Sequence, residues 1–158
     1  MYRPRTPGYF SRDPAIRWAL PDRVFFACGA CHILAHAFLE RHGRPEYEVL
    51  WIKPVPGHRI GNHIVVATGD WVFDFHGYSR RDAFFEHVWK RARHLWPGWD
   101  ATLVPLPRDV LISEQRSRQF DGLWLAEPGQ FLYDALPRAQ AYLDRFPAPE
   151  RVVMYGRA

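Results

Sequence analysis

The stretch ACGACHILAHAFLERHG, residues 27–43, holds both cysteines of the 158-residue chain and decides how the fold begins. From Ala30 to His42, apolar residues recur at the three- and four-residue spacing of an amphipathic helix, and Gly43 ends the pattern. Both cysteines therefore lie at or just before the start of a helix. The motif Cys-x-x-Cys-His at such a place is typical of four chemistries: haem attachment, zinc binding, disulfide exchange, or a single nucleophilic thiol.

Haem attachment and zinc binding need partners that the rest of the sequence does not supply. Covalent haem attachment of this kind belongs outside the bacterial cytoplasm, and the N-terminal residues lack the apolar run of a secretory signal. A zinc site would need two ligands beyond Cys28 and Cys31, and His36 and His42 do not have the usual finger spacing. His32 is expected to point away from Cys31 on the helix. The sequence therefore predicts no metal and no cofactor.

Disulfide exchange between Cys28 and Cys31 stays open as an alternative. If residues 24–27 form a strand, the order strand, Cys-x-x-Cys, helix resembles a thioredoxin-like site, in which the helix N-terminus lowers the pKa of the first thiol. Those folds place a cis-proline beside the two thiols, whereas the corresponding position of this chain is Gly61-Asn62. The proline-rich N-terminal arm is also a poor substitute for the first strand and helix of that fold.

The fourth interpretation needs Cys31, a base, and a group that orients the base. His63 opens the apolar run HIVVA, and Asp74 lies in the returning run DWVFDF. A two-residue turn at Thr68-Gly69 would make these runs a hairpin and place His63 directly opposite Asp74. A carboxylate bonded to the imidazole would fix its tautomer and favour its protonated form.

CGACHILA resembles the CGSCWAFS stretch around the nucleophile of papain-like cysteine peptidases, in which the second cysteine attacks. The longer pattern over residues 25–78 is similar to a group of small bacterial and phage-associated papain-fold or transglutaminase-like domains. This resemblance implies a catalytic triad of Cys31, His63 and Asp74, with Gly77 in the turn after Asp74. It also implies a papain-like or transglutaminase-like core in which the nucleophile helix packs on an antiparallel sheet.

The residues around this triad add two candidate auxiliary groups and one departure from papain. His76 lies two residues after Asp74 and is a second candidate imidazole near the site, and Cys28 is a candidate structural thiol. Papain has a glutamine six residues before the nucleophile that donates to the oxyanion, and this chain has Phe25 there. The second oxyanion donor, beside the Cys31 backbone amide, is therefore unassigned.

The triad predicts an enzyme that works through a thioester. Cys31 would attack an amide or ester carbonyl, and the acceptor would be water in a peptidase, amidase or deamidase, and an amine in a transglutaminase. The residues for all four activities are the same, so the acceptor stays open. The non-enzymatic alternative is a binding module on the same fold, in which Cys31 is merely packed.

The remaining pattern predicts one α+β domain, with a proline-rich arm at 1–23, a catalytic core at 24–78, and additional C-terminal helices completing the domain at 79–158. The arm is expected to hold one helical turn around Ala15–Leu20. The expected strands are Tyr47–Lys53, the two hairpin runs and Thr102–Leu106, and the expected helices run from a Ser79 cap to about Leu95 and over 109–119 and 129–146.

Composition narrows the class of partner. The chain is 47% apolar with a net charge of +4, and it has no basic tail, so a nucleic-acid interface is not favoured. It also lacks an apolar run of membrane-helix length, and no membrane association is expected. We expect a protein or peptide-like substrate, with a cognate inhibitor or a larger host protein as further candidate partners. The predicted location is the cytoplasm, or outside the cell by export without a classical signal peptide, as for an effector or toxin.

Overall fold

The protein has an α+β fold built on a five-stranded antiparallel sheet. The computed structural model describes residues 13–152. Its helices are α1 (Pro14–Trp18), α2 (Asp22–Ala27), α3 (Cys31–His42), α4 (Arg81–Leu95), α5 (Glu114–Ser117) and α6 (Ala135–Leu143), and its strands are β1 (Glu48–Pro54), β2 (His63–Ala67), β3 (Trp71–Asp74), β4 (Gly77–Arg80) and β5 (Ala101–Leu106). The strand order across the sheet is β4-β3-β2-β1-β5.

The sheet is covered on both faces, which explains why HIVVA is apolar at nearly every position. Ile64 and Val66 join the larger core that also contains the apolar side of α3. Val65 and Ala67, which point to the opposite face, join a second core with Phe84 and other residues around α4. A strand buried on both faces reads as a continuous apolar run rather than as an alternating one. The helix that the sequence predicts from Ala30 to His42 is found as α3, and it packs on an antiparallel sheet.

The turn between β2 and β3 lies one residue later than Thr68-Gly69. Thr68 N donates to Trp71 O at 2.9 Å, so the two turn residues are Gly69 and Asp70. The hydroxyl of Thr68 also accepts hydrogen bonds from the backbone amides of Asp70 and Trp71, both at 3.1 Å. These two bonds stabilise a turn that begins at Thr68, so the two turn residues lie one position later than predicted.

The predicted Ser79 helix cap is wrong. Ser79 lies in the short strand β4, opposite Val72 of β3, and α4 begins only at Arg81. Gly77 has a φ of +91°, which glycine adopts without strain and which turns the chain back immediately after Asp74. The chain therefore forms a second tight hairpin before the helix starts.

The C-terminal helices are shorter than the sequence predicts. The helix expected at 109–119 is divided into a 3-10 turn at Arg108–Ile112 and α5, because the Ser113 side chain caps a new helix by accepting from Arg116 N. The helix expected at 129–146 is reduced to α6, which the Asp134 side chain caps. The strand β5 agrees with its predicted position and pairs with β1 along the sheet edge.

The segment before Cys31 is helical, contrary to the strand that the disulfide-exchange interpretation requires at 24–27. Arg138 of α6 fixes this segment: its guanidinium donates to the Trp18 and Leu20 carbonyls, both at 2.7 Å, and to Asp22 at 2.8 Å. The same guanidinium lies 4.1 Å from the centre of the Phe25 ring. The C-terminal part of the chain therefore holds α1 and α2 in place ahead of α3.

Only part of the predicted N-terminal arm can be compared with the structure. The helical turn expected around Ala15–Leu20 is found as α1, where the Asp13 side chain accepts a hydrogen bond from Ala15 N at 2.8 Å. The first 12 residues of the arm lie outside the described residues.

Candidate active site

Cys31 is the first residue of α3. The chain leaves α2 at Ala27 and turns through Gly29, whose φ of +98° is a conformation that glycine favours. An added Cβ at this position would collide with the Arg17 guanidinium. Ala30, immediately before the helix, forms no side-chain cap. Cys31 therefore lies at the positive end of the helix, and its backbone amide is one of the unpaired N–H groups that produce the partial positive charge there.

His63 and Asp74 meet at the ends of their strands. The register pairs Val66 with Phe73, so the expectation that His63 is directly opposite Asp74 is wrong by two positions. A two-position shift keeps both side chains on one face and makes them diagonal neighbours, which long side chains can still bridge. His63 Nε2 donates to Asp74 Oδ2 at 2.9 Å.

Asp74 is buried, and both of its carboxylate oxygens have hydrogen-bond partners. Besides His63, the His76 backbone amide donates to Asp74 Oδ1 at 2.9 Å, and His76 Nδ1 lies 3.3 Å from the same oxygen. Burial on its own would raise the pKa of Asp74, but the bonds with His63 and His76 outweigh it and lower the pKa to about 2. His76 thus lies at the site as a partner of the carboxylate, and its ring is 40% exposed. Gly77 shapes the turn that presents it.

Cys31 and His63 have the electrostatics of an ion pair. Burial would raise the pKa of Cys31, yet hydrogen bonds with His32 and His63 and the charge of His63 lower it to about 5. Burial would lower the pKa of His63, yet bonds with Asp74 and Cys31 raise it to about 10. At neutral pH the favoured state is therefore a thiolate beside an imidazolium. The His63 side chain is 14% exposed.

His32 is the residue that the sequence interpretation misplaced. The sequence predicts that its side chain points away from Cys31, but it is 2% exposed and lies close enough to Cys31 to lower the pKa of that thiol. Its Nε2 lies 2.7 Å from the Ala126 carbonyl oxygen. A segment 94 residues later in the chain therefore covers this face of the helix. The only local signal was the adjacency of the two residues in the sequence.

Cys28 and Phe25 lie in surroundings that differ from those of Cys31. Cys28 is a free thiol at the end of α2, and burial and the nearby Cys31 charge raise its pKa. Phe25 is buried in the main core. The position where papain has its glutamine therefore presents an apolar side chain to the core, and it has no donor for an oxyanion.

Over residues 13–152, no cluster of three or more His, Cys, Asp or Glu side chains is arranged to hold a metal ion. Within the same range, no helix combines the length and apolar composition that membrane crossing requires. No known protein family, curated protein or solved structure gives a significant match to this chain.

Proposed function

We propose that this protein is a papain-like or transglutaminase-like cysteine enzyme that transfers or hydrolyses an acyl group through a thioester on Cys31. The observation that carries the proposal is the ordered series Cys31, His63, Asp74. The carboxylate is bonded to His63 Nε2 at 2.9 Å, which leaves Nδ1 as the nitrogen that serves the thiol. A nucleophile bonded to a base that is itself oriented by a third group is the arrangement of covalent acyl-transfer enzymes.

In the proposed reaction, the Cys31 thiolate attacks the carbonyl carbon of an amide or ester and forms a carbon–sulfur bond. When the tetrahedral intermediate collapses, the leaving amine or alcohol takes the proton held by His63, and the thioester remains. Water or an amine then gives a proton to His63 as it attacks the thioester. The product leaves, and Cys31 returns as the thiolate beside protonated His63.

The start of α3 supplies one element of oxyanion stabilisation in this scheme. The Cys31 backbone amide lies at the helix N-terminus, and Ala30 provides no side chain to compete for it. Backbone amides in this position favour negative charge on a bound oxygen. A protein or peptide-like substrate would present its carbonyl there.

The direct test is acylation of the protein by 4-nitrophenyl acetate at neutral pH. We expect one rapid equivalent of 4-nitrophenolate and a protein mass increase of one acetyl group, located on the peptide containing Cys31. Cys31→Ala should abolish both signals because it removes the thiol that the proposed reaction acylates. An acetylated lysine, or a burst that persists in Cys31→Ala, would contradict the proposal.

Cys28→Ser separates this proposal from the disulfide-exchange alternative. The acetylation burst is expected to be unchanged in Cys28→Ser, because the raised pKa of Cys28 keeps it protonated and outside the proposed reaction. Disulfide exchange would instead need both thiols, and the oxidised wild type would hold a reversible Cys28–Cys31 bond. Loss of the burst in Cys28→Ser, together with that disulfide, would favour the oxidoreductase.

A further inference from the structure

Asn62, which immediately precedes His63, is an exposed residue whose carboxamide is held in one orientation. The indole Nε1 of Trp51 donates to Asn62 Oδ1 at 2.9 Å. An indole N–H only donates, so the atom that faces Trp51 must be the carboxamide oxygen. The Nδ2 group, with its two hydrogens, is therefore at the other end of the carboxamide. Within residues 13–152, the structure shows no hydrogen-bond acceptor for Nδ2.

The segment 60–62 is held by two buried indoles. Trp51 is 2% exposed and belongs to the core that also contains the apolar side of α3. Trp99 is 1% exposed and belongs to the second core, and its Nε1 donates to the Ile60 carbonyl at 2.9 Å. A donor on such a segment is in place before a substrate binds. Donors fixed in this way stabilise a developing charge without the cost of reorganisation.

Asn62 lies on the face of the sheet that α3 covers. Its partner Trp51 packs in the core on that face. Ile64, which follows two residues later at the start of β2, belongs to the same core. Ile64 also lines one small cavity together with Cys31 and Asp74. The residue next to Asn62 on this face is therefore in the immediate surroundings of the sulfur.

The direction of α3 places its N-terminus at the same end of β2 as Asn62. Cys31, at the start of α3, lies beside Ile64. Phe38, later in α3, packs on Trp71 with ring centroids 6.0 Å apart, and Trp71 begins β3 beside the far end of β2. The helix therefore runs along β2 in the same direction as the strand. Its free backbone amides lie at the end of the sheet that Asn62 occupies.

We propose that Asn62 Nδ2 is the second hydrogen-bond donor to the substrate oxygen, beside the Cys31 backbone amide. The inference rests on the proposed thioester mechanism and supplies the donor that Phe25 does not provide. When the sulfur bonds to the carbonyl carbon, an electron pair of the carbonyl double bond moves to the oxygen. Both N–H groups then donate to the negative charge that forms there.

The structural alternative is that Asn62 serves only as the acceptor for Trp51. A buried indole N–H needs an acceptor, and a carboxylate would serve it as well as a carboxamide. Asn62→Asp separates the two roles, because it keeps the oxygen that Trp51 binds and removes the N–H donors. Asn62→Ala removes both without adding a charge. A donor role predicts that both variants lose acylation, whereas a structural role predicts that aspartate preserves it.

The test compares two reactions of the same sulfur at neutral pH. Acetylation by 4-nitrophenyl acetate passes through a tetrahedral oxyanion, whereas alkylation by iodoacetamide displaces iodide and forms no oxyanion. The ratio of the two rates therefore cancels any change in the fraction of Cys31 that is thiolate. This ratio is expected to fall by about 10²–10³-fold in both Asn62→Asp and Asn62→Ala, the range for losing one oxyanion donor. Gln140→Ala removes an exposed carboxamide from α6 and, as the matched control, should leave the ratio unchanged.

Failure of this inference is distinguishable from failure of the proposed function. An unchanged ratio in the folded variants would overturn the inference and make Asn62 only the acceptor for Trp51, while the acetylation burst of the wild type would still support the enzyme. A fall in Asn62→Ala that aspartate prevents would overturn it in the same way. A wild type that is alkylated rapidly and never acetylated would refute the proposed function, and the inference with it.

A measurement on the wild type covers the case in which the variants do not fold. Asn62 is the only asparagine of the chain, so labelling with ¹⁵N-asparagine gives a single side-chain NH₂ signal. Acetaldehyde adds to Cys31 as a hemithioacetal, whose oxygen takes the place of the substrate oxygen, whereas methyl methanethiosulfonate caps the sulfur without such an oxygen. One Nδ2 proton should move downfield with the aldehyde and not with the methanethiosulfonate. The same response to both reagents, or no response to either, would overturn the inference.

Discussion

Replacing His63 with alanine is expected to slow acetylation of Cys31 by about 10²–10⁴-fold, the range for losing a general acid–base group. His63 contributes twice to the proposed reaction, because its charge stabilises the thiolate and its proton goes to the leaving group. The pKa of Cys31 should therefore move from about 5 towards its ordinary value of about 8.5. Stopped-flow release of 4-nitrophenolate against pH measures both effects in one experiment.

The matched control for this prediction is His94→Ala. His94 is an exposed histidine in the last turn of α4, so its loss removes an imidazole without touching the site, and the rate should stay within about twofold of the wild type. A His63→Ala variant that acetylates at the wild-type rate over the whole pH range would show that Cys31 reacts without a base. The proposed triad would then be wrong.

The parts of the site that the sequence predicts are those fixed by short-range patterns. The spacing of apolar residues after Ala30 defines α3 and places Cys31 at its N-terminus. The two apolar runs around a Thr-Gly-Asp turn bring His63 and Asp74 together, and this holds even though the turn lies one residue later than predicted. The period of two along a strand explains this tolerance, since an even change of register leaves side chains on the same face.

The parts that the sequence does not predict depend on contacts between distant residues. His32 is buried because the Ala126 segment packs over α3, and no sequence pattern near residue 32 predicts this contact. Similarly, the segment that leads into α2 is held by Arg138, from the C-terminal part of the chain, which binds the Trp18 and Leu20 carbonyls. Local secondary-structure propensity does not include such contacts, because they form only when the chain folds.

The ion pair between His63 and Asp74 is also expected to matter for stability. Asp74→Ala should lower the free energy of unfolding by about 3–5 kcal/mol near neutral pH, because it removes the buried carboxylate that is hydrogen-bonded to the imidazolium and leaves that cation with Cys31 alone. Asp121→Ala is the control: its carboxylate is fully exposed and lies 3.7 Å from Lys53 Nζ, and the loss of such a surface pair has little effect on stability. Part of the loss should be recovered in the double variant with His63→Ala.

The pH dependence of this loss distinguishes the ion pair from simple packing. Asp74 has a lowered pKa of about 2, so its contribution is present above its ordinary value of about 3.9 and disappears as the pH falls towards 2. His63 has a raised pKa of about 10, so its contribution is complete below about 6.5 and disappears as the pH rises through 10. The difference between wild type and Asp74→Ala should therefore be largest between about pH 4 and 6.5 and shrink on both sides. Urea unfolding followed by tryptophan fluorescence measures it, and a difference that stays constant over the whole range would mean that Asp74 acts only by filling space.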